Sequence, residues 1–255
     1  MNETLALIEE RCSTRVFAPT PVTEDEKAAI LHAALRAPTG GNMQLYSIIQ
    51  IEDQALKDRL AVTCDDQPFI AKAPWVLVFV ADLQRWVDLF VASGVERLEG
   101  VTHRLTPGVG DLLLACSDAL IAAQTAVVAA ESLGIGSCYI GDILENGEIH
   151  VQLLDLPPHT LPIAMLCFGR PAGERHVQPR YTEGVIHTDR YRRATPEDLV
   201  ALGERLGTAR NPHGFKPGIE NFGQAVYERK YASDFMLEMN RSAQWWLRRW
   251  QSPRG

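Results

Sequence analysis

The first third of the chain carries apolar residues at helical spacing, interrupted by polar caps. Residues 4–10 form a short pattern of this kind, and Thr4 is expected to cap the helix. Thr23 and Glu26 have the spacing of a capping box, in which each side chain bonds the other's backbone amide. This pair predicts a second helix from about residue 24 to residue 36.

Four segments have the composition of β-strands. Residues 46–51 are rich in isoleucine, and residues 75–81 form a continuous apolar run with several β-branched side chains. Such a run is typical of an interior strand that is buried on both faces. Two further strands are expected at residues 137–140 and 161–169.

The most apolar helix predicted for the chain covers residues 111–133, and Gly134 provides its C-terminal stop. A shorter helix is expected at residues 54–62, and a long one in the tail, starting near Phe222 or Ala232. Residues 85–110 contain four glycines and one proline and predict no clear element. The alternation of helices and strands favours one α+β domain over residues 1–255, with a helical extension from about residue 211.

Composition narrows the classes of function. The 255 residues are 46% hydrophobic, which is enough to build a core, and 25 basic against 32 acidic residues leave a net charge of −7. An acidic chain is a poor general binder of nucleic acid or anionic membranes. The apolar stretch at residues 112–130 includes Asp118 and Gln124, so no membrane span is expected.

The chain has no pattern typical of a secreted protein. Its first residues lack a basic segment followed by an apolar core. The cysteine count is odd, without any C-x-x-C pair, which favours reduced thiols and a cytoplasmic protein. The five cysteines are Cys12, Cys64, Cys116, Cys138 and Cys167.

The first candidate site is a short basic segment near the N-terminus. Arg11, Ser13 and Arg15 place two guanidinium groups and a hydroxyl within five residues. Such groups can converge on one tetrahedral phosphate through charge-assisted hydrogen bonds. On spacing alone, a solvated basic turn at the end of a helix is the simpler explanation of the segment, and a phosphate site is the alternative.

Two glycine-containing loops are further candidates. Residues 38–42 combine consecutive glycines with polar side chains, which lets backbone approach a ligand, although an ordinary helix-to-strand connection has the same composition. Residues 134–142 contain three glycines, but these follow a helix and precede a strand. A dinucleotide fingerprint requires the opposite order, so a helix C-cap with a glycine turn remains the simpler interpretation.

Other common catalytic constellations are not found in the sequence. No His-x-x-x-His pair, Cys–His metal spacing or G-x-S-x-G elbow occurs, and no metal site is expected. A lone cysteine is more often a small buried residue than a nucleophile. When a chain offers no obvious acid, base or nucleophile, a cofactor can carry the reaction.

Four motifs, in this order, resemble those of the FMN-dependent nitroreductase family, and most closely its branch of oxygen-insensitive NADPH nitroreductases and flavin reductases. They cover most of the first 190 residues. The motifs are Arg11-Cys12-Ser13-Thr14-Arg15-Val16-Phe17, Ala37-Pro38-Thr39-Gly40-Gly41-Asn42-Met43-Gln44, Gly134-Ile135-Gly136-Ser137-Cys138-Tyr139-Ile140-Gly141 and Cys167-Phe168-Gly169-Arg170-Pro171.

The resemblance implies an α+β fold with a mixed central sheet flanked by helices, in an intertwined homodimer with FMN at the subunit interface. It implies electron transfer from NAD(P)H through FMN to nitroaromatic, quinone or flavin acceptors by a ping-pong mechanism, with no catalytic side chain. Reductive dehalogenation, flavin breakdown and a non-catalytic flavin sensor with an aromatic C-terminal docking helix are the alternatives.

The resemblance also implies which residues bind the cofactor. Arg11, Ser13, Arg15 and the backbone of Cys12 would hold the FMN phosphate and ribityl chain, with Arg180 as a further phosphate ligand. Gln67 would contact the pyrimidine edge of the flavin, and backbone groups of Tyr139, Ile140 and Gly141 would lie near N5. The loop that reaches over from the other subunit would consist of Pro38, Thr39, Gly40, Gly41 and Asn42.

The sequence departs from the pattern of this family at a few places. Gln178 stands where relatives often have lysine, and Asp142 replaces a glycine. Residues 83–110 form a longer segment, which would lie near the cofactor face. Arg210 lies roughly where relatives grip the 2′-phosphate of NADPH.

Overall fold

The computed structural model describes residues 2–102, 104–178, 180, 184–211 and 213–252. These residues form two compact units. Residues 1–177 and 239–255 belong to the first unit, and residues 178–238 to the second. The arrangement of the whole chain as one domain stays a prediction.

The first unit is built on a four-stranded sheet. Its strands run antiparallel in the order β1-β2-β4-β3, and every strand predicted from the sequence is present. An α+β fold is therefore confirmed, but the four strands of the described residues pair only antiparallel, and not as the mixed sheet that the resemblance implies. The strands are β1 (Tyr46–Ile51), β2 (Trp75–Asp82), β3 (Gly136–Ile140) and β4 (Thr160–Gly169).

Ten α-helices accompany the sheet in the described residues, together with short 3₁₀ turns at Gly40–Asn42, Val95–Arg97 and Gly141–Leu144 and a π turn at Tyr227–Tyr231. The α-helices are α1 (Glu3–Glu10), α2 (Glu24–Leu35), α3 (Gln54–Thr63), α4 (Pro68–Ala71), α5 (Gln84–Ala92), α6 (Val109–Ser132), α7 (Gly147–Leu153), α8 (Pro196–Arg210), α9 (Phe222–Val226) and α10 (Asp234–Trp250).

Strand β2 has the burial that its apolar run predicts. All eight of its residues are buried. Val76, Val78 and Val80 belong to one apolar cluster, whereas Leu77 and Phe79 belong to another. Since successive side chains point to opposite faces of a sheet, the strand contributes side chains to the apolar clusters on both faces.

Helix capping explains where the prediction was right and where it was wrong. The capping box of Thr23 and Glu26 is present at the start of α2. Helix α1, however, is capped by Asn2, whose Oδ1 accepts from the amide of Leu5 at 2.9 Å, and not by Thr4. Asparagine caps as well as threonine does, so the helix begins one residue earlier than expected.

Helix α6 is long and apolar enough to cross a membrane by length and composition alone. It begins at Val109, two residues before the predicted start, because the Asp111 carboxylate accepts from the amide of Gly108 at 2.7 Å. Nine of its residues, Asp118 among them, are buried in the protein. This packing is that of a core helix.

Helix α10 confirms the predicted tail helix, and its tryptophans anchor it. From Met239 onward it belongs to the first unit. Trp246 and Trp250 are fully buried and donate their indole N–H groups to the carbonyls of Leu144 and Gly108, each at 3.1 Å. The sensor alternative used this helix as a docking element, but two of its three tryptophans lie in the core.

Helices α4, α5, α7 and α8 were not predicted from the sequence. Helix α5 has only 9 residues and is followed by the glycines and the proline of residues 94–110. Helix α8 begins with a capping box formed by Thr195 and Asp198, whose spacing in the sequence is the signal that predicts its start. The second unit contains α8 and α9.

Candidate functional site

The basic N-terminal segment is attached to the edge strand of the sheet. The amide of Thr14 donates to the carbonyl of Ser137 at 2.9 Å, and Ser13 forms a parallel bridge with Ser137. A side chain at Gly136 would collide with Thr14, since an added Cβ would lie 2.2 Å from its Oγ1. The glycine therefore permits a close approach of the segment to β3.

The three predicted phosphate ligands lie around Cys138. Burial raises the pKa of the Cys138 thiol, whereas Arg15, Ser13 and Arg11 oppose this increase. Ser13 and Arg15 are exposed, and Arg11 is half-buried. In the part of the chain that the structure describes, neither arginine forms an ion pair, so both guanidinium groups are available to an anion.

Helix α4 brings Gln67 to the same region. Phe69 is the second residue of this helix, and the centroid of its ring lies 5.9 Å from the Arg15 guanidinium. Gln67 precedes the helix, and its side-chain nitrogen donates to the carbonyl of Cys64 at 2.9 Å. This hydrogen bond orients the Gln67 amide and leaves its oxygen as an acceptor.

The end of β3 offers backbone groups next to open space. Tyr139 is 37% exposed, and its hydroxyl lies 3.4 Å from Oε1 of Gln124. Burial of the phenol raises the pKa of Tyr139 to about 12, against the effect of Arg11. Ile140 is buried, whereas a Cβ added to Gly141 would meet no atom within 4 Å. A flat group can therefore approach the backbone at Gly141.

Arg175 connects the basic N-terminal segment to helix α6, and nothing in the sequence predicted these contacts. Nε of Arg175 lies 3.4 Å from Cys12 Sγ, and its Nη2 pairs with Glu131 at 2.7 Å. Burial would lower the pKa of Arg175, but Cys12 and Glu131 raise it. The buried thiol of Cys12 thus links the segment to the end of α6, while its backbone remains in the segment.

The loop at residues 38–42 has a different set of partners. The amides of Gly40 and Leu45 donate to the carboxylate of Asp118 on α6. The carbonyls of Met43 and Gln44 accept from Trp86 and Arg85 on α5. No signal in the sequence indicated these partners, because they lie at least 41 residues away.

The contacts sort the predicted residues into two groups. Arg11, Ser13 and Arg15 lie near β3, since all three act on the pKa of Cys138, and Arg15 also lies over the ring of Phe69, two residues after Gln67. The hydrogen bonds of the 38–42 loop lead to α5 and Asp118 instead. Arg180 is exposed and belongs to the second unit, so its role as a phosphate ligand stays a prediction.

The first group fits a phosphorylated planar ligand. Two guanidinium groups and a hydroxyl suit a dianionic phosphate, because Arg forms charge-assisted hydrogen bonds with its oxygens. The open space at Gly141 accepts a flat ring, and Gln67 supplies an acceptor for a ring N–H. FMN has this combination of a phosphate, a polyol chain and a hydrogen-bonding ring edge.

Comparison with known proteins agrees with this geometry. The profile of the family described as "Nitroreductase family" matches residues 8–170 of this chain, which is more than half of its length. An oxygen-insensitive NADPH nitroreductase of Salmonella typhimurium is 34% identical over 207 residues, which cover 81% of this chain and 82% of that protein.

Two other proteins extend the likeness over more of the chain. An FMN reductase [NAD(P)H] of Bacillus subtilis is 30% identical over 237 residues, 91% of this chain and 93% of that protein. The crystal structure of nitroreductase A from Vibrio parahaemolyticus superposes with a TM-score of 0.78 at 25% identity, covering 95% of this chain and 98% of that one.

Proposed function

Because the chain belongs to the nitroreductase family, we propose that Arg11, Ser13 and Arg15 hold the phosphate of FMN at the start of β3. The protein is an FMN-dependent NAD(P)H oxidoreductase. The observation that carries the site proposal is the pair of guanidinium groups beside Ser13, neither of which has an ion pair among the described residues, near the open backbone at Gly141. We assign the backbone of Cys12 to the same phosphate, and Arg180 as a further ligand.

The ring of the flavin is assigned to the end of β3. When bound, FMN accepts a hydride from the nicotinamide and delivers two electrons to an acceptor. Gln67 would bond the pyrimidine edge, and its orientation by the Cys64 carbonyl supports this role. Backbone groups of Tyr139, Ile140 and Gly141 would face N5, where fixed dipoles stabilise developing charge.

A second copy of the chain completes the proposed site. Pro38, Thr39, Gly40, Gly41 and Asn42 would contact the flavin of the partner subunit. The anchor residues support this division: Asp118 and Glu131 are 13 positions apart on α6, about 20 Å along its axis. The first anchors the 38–42 loop, and the second anchors the Arg11 segment through Arg175.

An exposed apolar stripe on α6 supports the homodimer. Leu113, Leu120 and Ile121 are 40–62% exposed and lie at helical spacing. Large apolar side chains on one helix face are typical of surfaces that dimers cover. The acceptors in this proposal are nitroaromatics, quinones or free flavin, taken up in the cytoplasm after the oxidised nicotinamide has left the same place.

Absorption spectroscopy of the purified protein tests the cofactor assignment. The protein should show the two visible bands of bound flavin, and NADPH should bleach them under anaerobic conditions. Arg15→Ala should raise the FMN dissociation constant at least tenfold, because it removes one charge-assisted phosphate contact. The FMN dissociation constant of Arg15→Lys should lie between those of the wild type and Arg15→Ala. An ammonium group keeps the positive charge but cannot form the two parallel hydrogen bonds of a guanidinium group.

A matched control separates the phosphate site from a general loss of charge. Arg36 is an exposed arginine at the end of α2, and Arg36→Ala should bind FMN as the wild type does. A colourless wild-type protein that takes up no FMN in excess would contradict the cofactor assignment. Full FMN binding by Arg15→Ala would remove Arg15 from the phosphate site.

A further inference from the structure

A carboxylate lies buried in the middle of helix α6. Asp118 is only 4% exposed and is followed along the buried face by Ala119, Ala122 and Ala123. Taking an ionised carboxylate out of water is expensive unless hydrogen bonds replace its hydration. The two oxygens of Asp118 accept from the backbone amides of Gly40 at 2.9 Å and of Leu45 at 3.1 Å.

These two amides lie at either end of an unusual turn. Between them Gly41, Asn42 and Gln44 have positive φ angles of 59°, 56° and 50°. Asparagine and glutamine adopt this left-handed conformation at an energetic cost, so a turn that contains both needs support from its surroundings. The bidentate contact with Asp118 provides such support from both ends.

The carbonyl groups of the same turn are held from another helix. Nε1 of Trp86 donates to the carbonyl of Met43 at 2.8 Å, and Nη2 of Arg85 donates to that of Gln44 at 2.6 Å. Helix α5 therefore holds the acceptors of the turn, and Asp118 holds its donors. The single carboxylate of Asp118 therefore forms hydrogen bonds with both ends of the turn.

We propose that Asp118 is a positioning residue for the flavin site, which holds the 38–45 turn in the conformation that contacts the cofactor of the partner subunit. The inference rests on the proposed function, in which the 38–42 loop contacts the flavin. A turn that is already ordered loses less conformational entropy on binding, so the carboxylate contributes to FMN affinity without touching FMN.

Asp118→Asn tests the inference with almost no change in size. The asparagine oxygen can accept from one amide, but its NH₂ group then faces the second amide, donor against donor. We expect the FMN dissociation constant to rise about tenfold. At saturating FMN, the KM for the acceptor should rise and the visible circular dichroism of the flavin should change, while kcat stays within about threefold.

Asp111→Asn is the matched control on the same helix. The Asp111 carboxylate also accepts a backbone amide, that of Gly108, and pairs with Arg104 at the surface. This variant should lower the melting temperature slightly, because it removes the ion pair with Arg104 and the negative charge at the N-terminus of the helix. It should leave the FMN dissociation constant, the acceptor KM and the flavin spectrum as in the wild type.

Amide hydrogen exchange in FMN-free wild-type protein provides a test that needs no variant. The amides of Gly40 and Leu45 should exchange at least tenfold more slowly than unbonded amides. Asp118→Asn should accelerate exchange of at least the amide that then faces the NH₂ group. Rapid exchange of these amides in the wild type would overturn the proposal. So would an Asp118→Asn protein that melts earlier but keeps the wild-type FMN affinity, acceptor KM and flavin spectrum.

The outcomes also separate this inference from the function on which it rests. If Arg15→Ala loses FMN and Asp118→Asn keeps it unchanged, the site stands and the positioning role of Asp118 fails. If the wild type binds no FMN at all, the proposed function itself fails, and slow exchange at Gly40 then reports only an ordered turn.

Discussion

The amide of Thr14 donates to the carbonyl of Ser137 across 2.9 Å, and this bond joins the N-terminal segment to β3. The two residues lie 123 positions apart in the sequence. Their contact places the side chains of Arg11, Ser13 and Arg15 near Cys138 of β3, three residues before the open backbone at Gly141. The proposed FMN site therefore depends on this one close approach of two backbones.

Gly136→Ala should disrupt that approach. The new Cβ would lie 2.2 Å from Thr14 Oγ1 and 2.9 Å from its Cβ, so the segment must move away from β3. We expect a loss of about 1–3 kcal/mol in the free energy of unfolding, as overpacked cores show. FMN affinity should also fall, and urea unfolding and FMN titration measure the two effects.

Gly203→Ala is the control for that substitution. Gly203 lies within α8, and an added Cβ would meet no atom within 4 Å. Alanine favours a helix over glycine by about 0.5–1 kcal/mol, so this variant should be as stable as the wild type or more so. Unchanged stability and FMN affinity in Gly136→Ala would contradict the packing argument.

His150 should make the stability of the protein depend on pH. The ring is fully buried, with Nδ1 2.9 Å from the carbonyl oxygen of Ile143 and Nε2 2.9 Å from Thr63 Oγ1. Burial lowers the pKa of His150, against the carbonyls of Ile143 and Glu145. The unfolded chain therefore binds a proton near pH 6.5 that the folded protein accepts only at lower pH.

The sign of the effect follows from that difference. The free energy of unfolding should be largest where His150 is neutral in both states and should fall as the pH drops below about 6.5. His150→Gln should reduce this slope by up to about 1.4 kcal/mol per pH unit, measured by urea unfolding between about pH 7 and pH 5. Replacement of the exposed His32 by Gln is the control, and equal slopes in all three proteins would refute the prediction.

Leu113→Glu should disrupt the proposed dimer. Leu113 is 62% exposed on the apolar stripe of α6, and a buried carboxylate without a partner is costly in an interface. The variant should elute as a monomer in size-exclusion chromatography with light scattering, with FMN lost in parallel. Leu35→Glu at the end of α2, where Leu35 is also exposed, should leave the mass unchanged. A wild-type protein that is monomeric with FMN bound would exclude the shared site.

Steady-state kinetics test whether donor and acceptor use one place. With NADPH and a nitroaromatic varied together, the proposal predicts parallel lines in double-reciprocal plots, because the oxidised nicotinamide leaves before the acceptor binds. High concentrations of either substrate should inhibit competitively with the other. Intersecting lines would require both substrates to be bound at once and would contradict the shared site.

Local interactions explain which elements were predictable. The capping box of Thr23 and Glu26 and the apolar run of β2 depend on neighbours within a few positions, and both have the predicted structure. Helix α5 was missed because it has only 9 residues and is followed by the glycines and the proline of residues 94–110. The cap of α1 was assigned to Thr4, since Asn2 and Thr4 are both good caps and the sequence alone does not choose between them.

The sequence by itself determined the α+β class, the four strands and, through the order of its motifs, the family and its cofactor. Only the tertiary structure decided that Asp118 holds the 38–45 turn and that Arg175 joins Cys12 to Glu131. These contacts bridge 44 to 163 positions along the chain, and the strength of a hydrogen bond depends on distance in space. No local pattern of residues records which distant amide a buried carboxylate will meet.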